Sequence, residues 1–261
     1  TERSLQPHLP PPCYLQSKCI KIKVGQEINL DKLSRELSEC GYLKTNNIDQ
    51  EGTWTRRGDI IDIYPVSSEL PIRLELFGDH LEKIKEFDPI SQRSLDKINN
   101  VCITPTGYDP LIINKLISID KKDISCLFSD EEFSELKNSH KLSSAKKYLG
   151  LAFNQPSSLL NYLDDNTFVV VDERLQCMSH GKAWHNIAKE SYNEVIAQFA
   201  ASESIEKIYT ANLHNDINIV FDHLKSYKGI DLSDLEEKKD NDNVFNISSK
   251  NHQWIPNQYG K

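Results

Sequence analysis

Residues 51–94 alternate short apolar runs with turn residues, and this segment constrains the fold more than any other part of the chain. Gly58 and Gly78 interrupt the apolar runs, and residues 67–71 (SSELP) have the composition of a hairpin connection. Upstream, residues 19–24 alternate apolar side chains with lysine, and residues 29–41 have helical spacing. The pattern predicts a compact, strand-rich module at residues 20–107.

One predicted strand, residues 72–77, carries an aromatic side chain on the face that strand alternation assigns to solvent. Its apolar side consists of Ile72, Leu74 and Leu76, and its other side consists of Arg73, Glu75 and Phe77. A large ring among charges on a solvent face is a candidate docking anchor. A strand buried on both faces would instead place Phe77 in the core, and alternation alone leaves both interpretations open.

The preceding predicted strand, residues 53–57, could place a second arginine on the same outer face as Arg73 and Phe77. Trp54 is expected to point inward, which places Arg57 on the outer face together with Thr53 and Thr55. If the two strands are neighbours, Arg57 and Arg73 flank the ring of Phe77. Arginine beside an aromatic ring is the usual composition of an interface hot spot. For each arginine alone, the alternative is an ordinary solvated charge.

The overall composition limits the classes of function. The chain has 261 residues and a formal net charge of -8, which suits about two domains and argues against autonomous, nonspecific DNA binding. No apolar run approaches the roughly 20 residues that a spanning helix needs, and the start lacks the pattern of a secretion signal. The six cysteines are scattered, as is typical of reduced thiols in the cytoplasm. We expect a cytoplasmic chain that is a piece of a longer protein.

The second half of the chain has the pattern of a partial α/β domain at residues 108–228. Residues 109–153 are mainly helical in spacing, residues 167–171 (TFVVV) indicate a strand buried on both faces, and helices are expected at 184–199 and 216–227. The predicted fold class is therefore mixed α+β. The flanking segments are expected to be a linker or the end of a preceding domain (1–19), a charged linker (229–243) and the start of another domain (244–261).

Two groups of residues in this half could carry chemistry. Asp172 and Glu173 end the predicted strand in the manner of a Walker B motif, whose acids hold Mg²⁺ and polarise water. No GxxxxGK[ST] loop occurs in the chain, so we interpret these acids as relics or as capping acids of the next helix. Cys177, His180 and His185 match no standard zinc spacing, and we expect packing residues there rather than a metal site. We expect no catalytic residue and no cofactor in this chain.

Residues 51–94 closely resemble the second domain of the bacterial transcription-repair coupling factors (Mfd). The shared pattern is RGDxIDIxP followed by RxELFxDxxExIxxFDP, which also occurs in the excision-repair helicase UvrB, and SSELP and FDPISQRS favour the coupling factors. LQPHLPPPCYL and EGTWTRRGDI are most similar to cyanobacterial versions. SLLNYLDDNTFVVVDE is similar to the Walker B segment of UvrB, although the coupling factors carry a degenerate copy of that domain.

The resemblance implies that residues 20–107 dock UvrA, the damage-recognition ATPase. The family's contacts are two arginines and a phenylalanine, and they correspond by position to Arg57, Arg73 and Phe77. It also implies that residues 108–228 form a degenerate RecA-like, UvrB-like domain without a working nucleotide site.

For the full-length protein, the resemblance implies RNA polymerase and double-stranded DNA as partners of downstream domains. It also implies an ATP- and Mg²⁺-dependent DNA translocase, and a C-terminal domain that masks the UvrA-docking surface.

Two rival functions remain open. The chain could be part of an ATP-dependent helicase of the UvrB kind, whose nucleotide site is completed by other segments. It could also be a DNA-binding module in its own right, although its net charge opposes this.

Overall fold

The structure, a computed structural model, describes residues 2–119, 128–139, 142, 145–199 and 215–233. It confirms the mixed α+β class. The helices and strands of the first part are α1 (Pro12–Ser17), β1 (Ile20–Lys23), α2 (Leu30–Glu39), β2 (Leu43–Lys44), β3 (Thr53–Arg57), β4 (Ile60–Tyr64), β5 (Ile72–Phe77), β6 (His80–Phe87), β7 (Ser94–Ile98) and β8 (Asn100–Ile103). Among the described residues, no helix is long and apolar enough to cross a membrane.

The strand-rich module is built on a six-stranded sheet in the order β2-β3-β4-β5-β6-β7, with β1 and β8 paired separately. All pairs from β3 to β7 are antiparallel. The inward face of this sheet carries Trp54, Ile63 and Leu74, which pack in one buried cluster with Leu33 and Leu37 of α2. The apolar spacing of α2 and the period-2 alternation of β5 thus supply the two sides of one core.

The opposite face of the sheet is less open than alternation predicts. Thr53 and Thr55, which we expected on a solvated face, are buried there, as is Asp62. The connection between β2 and β3 crosses this face: the Thr53 hydroxyl donates to the carbonyl of Gln50, and the loop after β6 holds the same connection through Gln92, whose side chain donates to the carbonyl of Ile48. The end of this face that carries Ile60 and Phe77 remains open.

The second half of the chain is mainly helical, as predicted. Its helices are α3 (Asp109–Ile117) and the segments Asp130–Ser139, Leu149–Ala152, Arg174–Phe199 and Ile217–Leu224, with 3-10 turns at Ala145–Tyr148 and Leu159–Tyr162. They enclose two small clusters of buried apolar side chains, one centred on α3 and one on Ile217–Leu224.

Two expectations about this half are wrong. The strand β9 (Phe168–Asp172) is not buried on both faces, because Val169 and Val171 pack inward while Phe168 and Val170 are exposed. Its neighbour in the described part is the parallel strand β10 (Lys228–Leu232). Residues 229–232, which we assigned to a charged linker, therefore belong to this sheet. The remainder of that linker and residues 244–261 lie outside the described residues.

The segment before the module is also more structured than an extended linker. It forms a 3-10 turn at Glu2–Leu5 and then α1, and it packs on the second half of the chain. Leu9 pairs with Ser157 as an isolated β-bridge, the ring of Tyr14 lies edge-on to Phe153 at 5.1 Å, and the Tyr162 hydroxyl donates to the carbonyl of Pro10. Apolar and hydrogen-bonding partners far along the chain thus order residues that local composition assigns to a linker.

Candidate docking surface

Two tight hairpin turns lie at the same end of the sheet and frame the candidate site. Gly58 and Asp59 connect β3 to β4, and Gly78 and Asp79 connect β5 to β6. Both glycines have positive φ, 63° and 61°, a conformation that glycine adopts without steric cost. The turns therefore fix which four residues flank them, and three of these, Arg57, Ile60 and Phe77, form what we call the hairpin-end surface.

Phe77 is the most exposed aromatic side chain of the module, at 77% of its accessible area. Strand alternation predicts this orientation, because Leu76 lies on the core face. The register of β4 and β5 and the hydrogen bond from the Leu76 amide to the Asp59 carbonyl place Phe77 beside the Gly58 turn. The structure therefore contradicts the core interpretation of Phe77.

Arg57 is exposed at the end of β3, where its Nη2 donates to the carbonyl of Asn46 at 2.8 Å. Among the described residues, no carboxylate lies within ion-pair distance of its guanidinium. A backbone carbonyl orients this side chain without neutralising it, so Arg57 remains available to an acidic partner.

Arg73 has a different environment, because its guanidinium is paired with Asp62 in the covered part of the face. Its Nε and Nη2 donate to the two carboxylate oxygens at 2.7 and 3.0 Å, and its Cζ lies 4.8 Å from the centre of the Phe87 ring. The hydrogen bonds to Asp62 are the main cause that raises the pKa of Arg73. The Asp62 side chain is 2% exposed and that of Arg73 is 19% exposed, so Arg73 presents only an edge to solvent.

The strands that carry Arg57 and Phe77 are not neighbours, contrary to the arrangement considered from the sequence. The strand β4 lies between β3 and β5. Because neighbouring strands are about 4.8 Å apart, Arg57 on β3 is roughly 10 Å from β5. Arg73 lies four residues from Phe77 along β5, or about 13 Å in an extended strand. The structure thus groups Arg57 with Phe77 at the hairpin end and leaves Arg73 farther inside the sheet.

The sequence analysis missed two residues of this face. Ile60 pairs in register with Arg57 on one side and with Glu75 on the other, and it is 38% exposed. Asp62 pairs in register with Arg73. Both could have been found by extending strand alternation to residues 60–64, since it places Ile60 and Asp62 on the face opposite Ile61 and Ile63.

The Walker B-like acids lie at the end of β9 and the start of the following helix. Asp172 is exposed, and Glu173 has a φ of 52°, with its amide bonded to the carbonyl of Leu232. The Glu173 carbonyl accepts from the amide of Cys177, so these residues form the junction between strand and helix. Within the described residues, no group of three or more His, Cys, Asp or Glu side chains, including Cys177, His180 and His185, could hold a metal ion.

Comparison with known proteins identifies the strand-rich module. Residues 20–108 match the family model described as the UvrB interaction domain. The chain is 28% identical over 265 residues to a transcription-repair-coupling factor of Bacillus subtilis, which covers 85% of this chain and 22% of that protein.

Two further relatives carry the same name. One from Haemophilus influenzae is 28% identical over 204 residues, covering 73% of this chain and 17% of its own length. One from Staphylococcus epidermidis is 31% identical over 170 residues, covering 58% and 14%. The chain thus spans about a fifth or less of the length of these relatives. Residues 20–108 thus match the UvrB interaction domain, and the chain is similar to the transcription-repair-coupling factors over that part of their length.

Proposed function

We propose that this chain binds UvrA through the hairpin-end surface of its UvrB interaction domain. The observation that carries the proposal is the 77% exposure of Phe77 at the same end of the sheet as Arg57, a cation that no described carboxylate neutralises. An exposed ring and an exposed arginine on one surface have the composition of an interface hot spot. The match of residues 20–108 to the UvrB interaction domain supports this assignment.

Binding at this surface requires recognition and no bond chemistry. The ring of Phe77 becomes buried against UvrA, and Arg57 pairs with a carboxylate of the partner. Arg73 can donate hydrogen bonds to UvrA through the N–H groups that are not bonded to Asp62, and it does so at the edge of the surface. Two tight turns and the contact with Asn46 hold these groups in place before binding, which lowers the entropy cost of association.

In the longer protein, we propose that this surface recruits nucleotide excision repair to RNA polymerase stalled at DNA damage in the bacterial cytoplasm. ATP hydrolysis with Mg²⁺ and movement on double-stranded DNA would then belong to downstream domains, and this segment would have no catalytic role. A C-terminal domain that covers the hairpin-end surface would keep UvrA away until the motor engages DNA, so exposure of the surface would act as a switch.

The test is the affinity of purified UvrA for the 261-residue chain, measured by isothermal titration calorimetry. Phe77→Ala should weaken binding at least about tenfold, as is usual for a central aromatic contact. Phe168→Ala is the matched control, because Phe168 is also a largely exposed phenylalanine, at 59% of its accessible area, and lies in the separate sheet of β9 and β10. Equal affinities for both variants and the unaltered chain would refute the proposal.

A charge reversal at Arg57 tests the electrostatic part. Arg57→Glu should weaken binding and remove most of its dependence on salt, because the cation that faces the partner is lost. Arg73→Glu is a poor test, since it would place a second carboxylate against the buried side chain of Asp62. Arg57→Glu binding as tightly as the unaltered chain at low salt would exclude Arg57 from the interface.

A further inference from the structure

The hairpin-end surface has an apolar residue at its centre that is not one of the three positions, Arg57, Arg73 and Phe77, that correspond to the family's UvrA contacts. Arg57 and Phe77 stand on β3 and β5, and the strand β4 separates them. On β4, Ile60 is in register with Arg57 on one side and, on the other, with Glu75, which lies two residues before Phe77. Without an exposed side chain there, a partner would meet a gap about two strand spacings wide, roughly 10 Å.

Ile60 is exposed although its strand lies in the middle of the sheet. Its neighbours on the opposite face, Ile61 and Ile63, have no accessible surface, whereas Ile60 is 38% exposed. A single exposed aliphatic side chain is common. Here, however, Phe77 lies on the same face two residues beyond Glu75, the register partner of Ile60, and a diagonal neighbour on an adjacent strand is within reach of an aromatic ring. The two side chains can therefore present one apolar strip to a partner.

The turns at both sides leave this strip uncovered. A Cβ added to Gly58 or to Gly78 would meet no atom within 4 Å. Because the glycine of each turn has no side chain, the backbone of a partner can approach the flanks of Ile60 and Phe77 closely at these two positions.

The charges around the strip indicate the chemistry of its partner. On one side stands Arg57, which no described carboxylate neutralises. On the other side Glu75 is already paired with Lys85, with 2.5 Å between the carboxylate oxygen and Nζ. The strip therefore fits an apolar side chain of the partner that is accompanied by a carboxylate on the Arg57 side and needs no cation opposite Glu75.

We infer that Ile60 is a contact residue at the centre of the surface that docks UvrA, where it completes an apolar strip with Phe77. This inference rests on the proposed function and assigns a fourth residue to it. UvrA then supplies an apolar group that covers Ile60 and Phe77 together, and a carboxylate that reaches Arg57.

Ile60→Thr tests this inference in the 261-residue chain, because threonine keeps the β-branched shape that suits a strand and replaces a methyl-bearing arm with a hydroxyl. We expect UvrA affinity to fall about fivefold or more, with the urea midpoint unchanged. Ile60→Val, which keeps an apolar surface, should retain affinity within about twofold. The double variant Ile60→Thr with Phe77→Ala should lose less than the product of the two single losses, because both side chains contact one apolar group.

The outcomes separate this inference from the proposed function. If Phe77→Ala weakens binding and Ile60→Thr does not, the inference is wrong and the proposed function stands. If neither variant weakens binding, both are wrong. If Ile60→Thr and Ile60→Val weaken binding equally and both lower the urea midpoint, Ile60 acts through folding, and the inference is wrong.

Discussion

From the ion pair between Asp62 and Arg73, we predict that Arg73 contributes to the stability of the docking module. Arg73→Ala would leave the Asp62 carboxylate, which is 2% exposed, without its two charge-assisted hydrogen bonds of 2.7 and 3.0 Å. Removing one partner of a buried pair costs about 3–5 kcal/mol of the free energy of unfolding. Because Arg73 is 19% exposed, water can reach part of the site, and we expect a loss near the lower end, about 3 kcal/mol.

Urea unfolding of the 261-residue chain measures this loss. Trp54 is buried in the core of the module, so a change in tryptophan emission together with circular dichroism reports its unfolding. Arg57→Ala is the matched control, since its exposed guanidinium contacts only a backbone carbonyl among the described residues, and a change within about 0.5 kcal/mol is expected.

Replacing both members of the pair by apolar residues, Asp62→Leu with Arg73→Met, should recover at least half of the loss, because no charge is then left buried alone. An Arg73→Ala variant that is as stable as Arg57→Ala would refute this reasoning.

Three further predictions concern other parts of the chain. Gly41 has a φ of 90°, and a Cβ there would lie 2.3 Å from a threonine hydroxyl oxygen, so Gly41→Ala should lower the free energy of unfolding by about 2–3 kcal/mol in urea titrations. The hydrogen bond from Lys147 is the main cause that lowers the pKa of Glu132 from 4.5 to about 2. A lowered pKa stabilises the fold above pH 4.5, and this contribution is lost as the pH falls toward about 2; Lys147→Met should reduce that part of the pH dependence of the thermal midpoint, while the hydrogen bonds from Ser129 and Tyr148 retain the rest. Burial raises the pKa of the Cys40 thiol to about 11, so mass spectrometry should find iodoacetamide alkylation of Cys40 at pH 8 at least about tenfold slower than that of the exposed Cys13.

Local patterns predicted the parts of the module that depend on one strand or one helix. Alternation along residues 72–77 correctly assigned Leu74 and Phe77 to opposite faces of the strand, and the structure places Leu74 in the core and Phe77 in solvent. Helical spacing likewise predicted the helix within residues 29–41, whose Leu33 and Leu37 lie in the core. In these elements the side chains of the core face are apolar, and Phe77 is the apolar residue that the structure leaves exposed.

Tertiary contacts decided the features that the sequence did not reveal. Thr55 and Asp62 are polar residues on the outer face, yet both are buried, on the side of the sheet where the connection between β2 and β3 is held. Phe168 is apolar within a β-branched run, yet it is exposed, because the described part of the chain places nothing over that face. Burial of such residues depends on segments distant in sequence, and alternation carries no information about them.

The most direct test of the central claim is amide hydrogen exchange of the 261-residue chain with and without UvrA. The account predicts that binding slows exchange in peptides spanning residues 57–60 and 76–80, which contain the two turns and the side chains that flank them. The strand β7 and the sheet formed by β9 and β10 should exchange at unchanged rates. Slowed exchange confined to other segments, with the two hairpin ends unaffected, would contradict the proposal that UvrA docks at this surface.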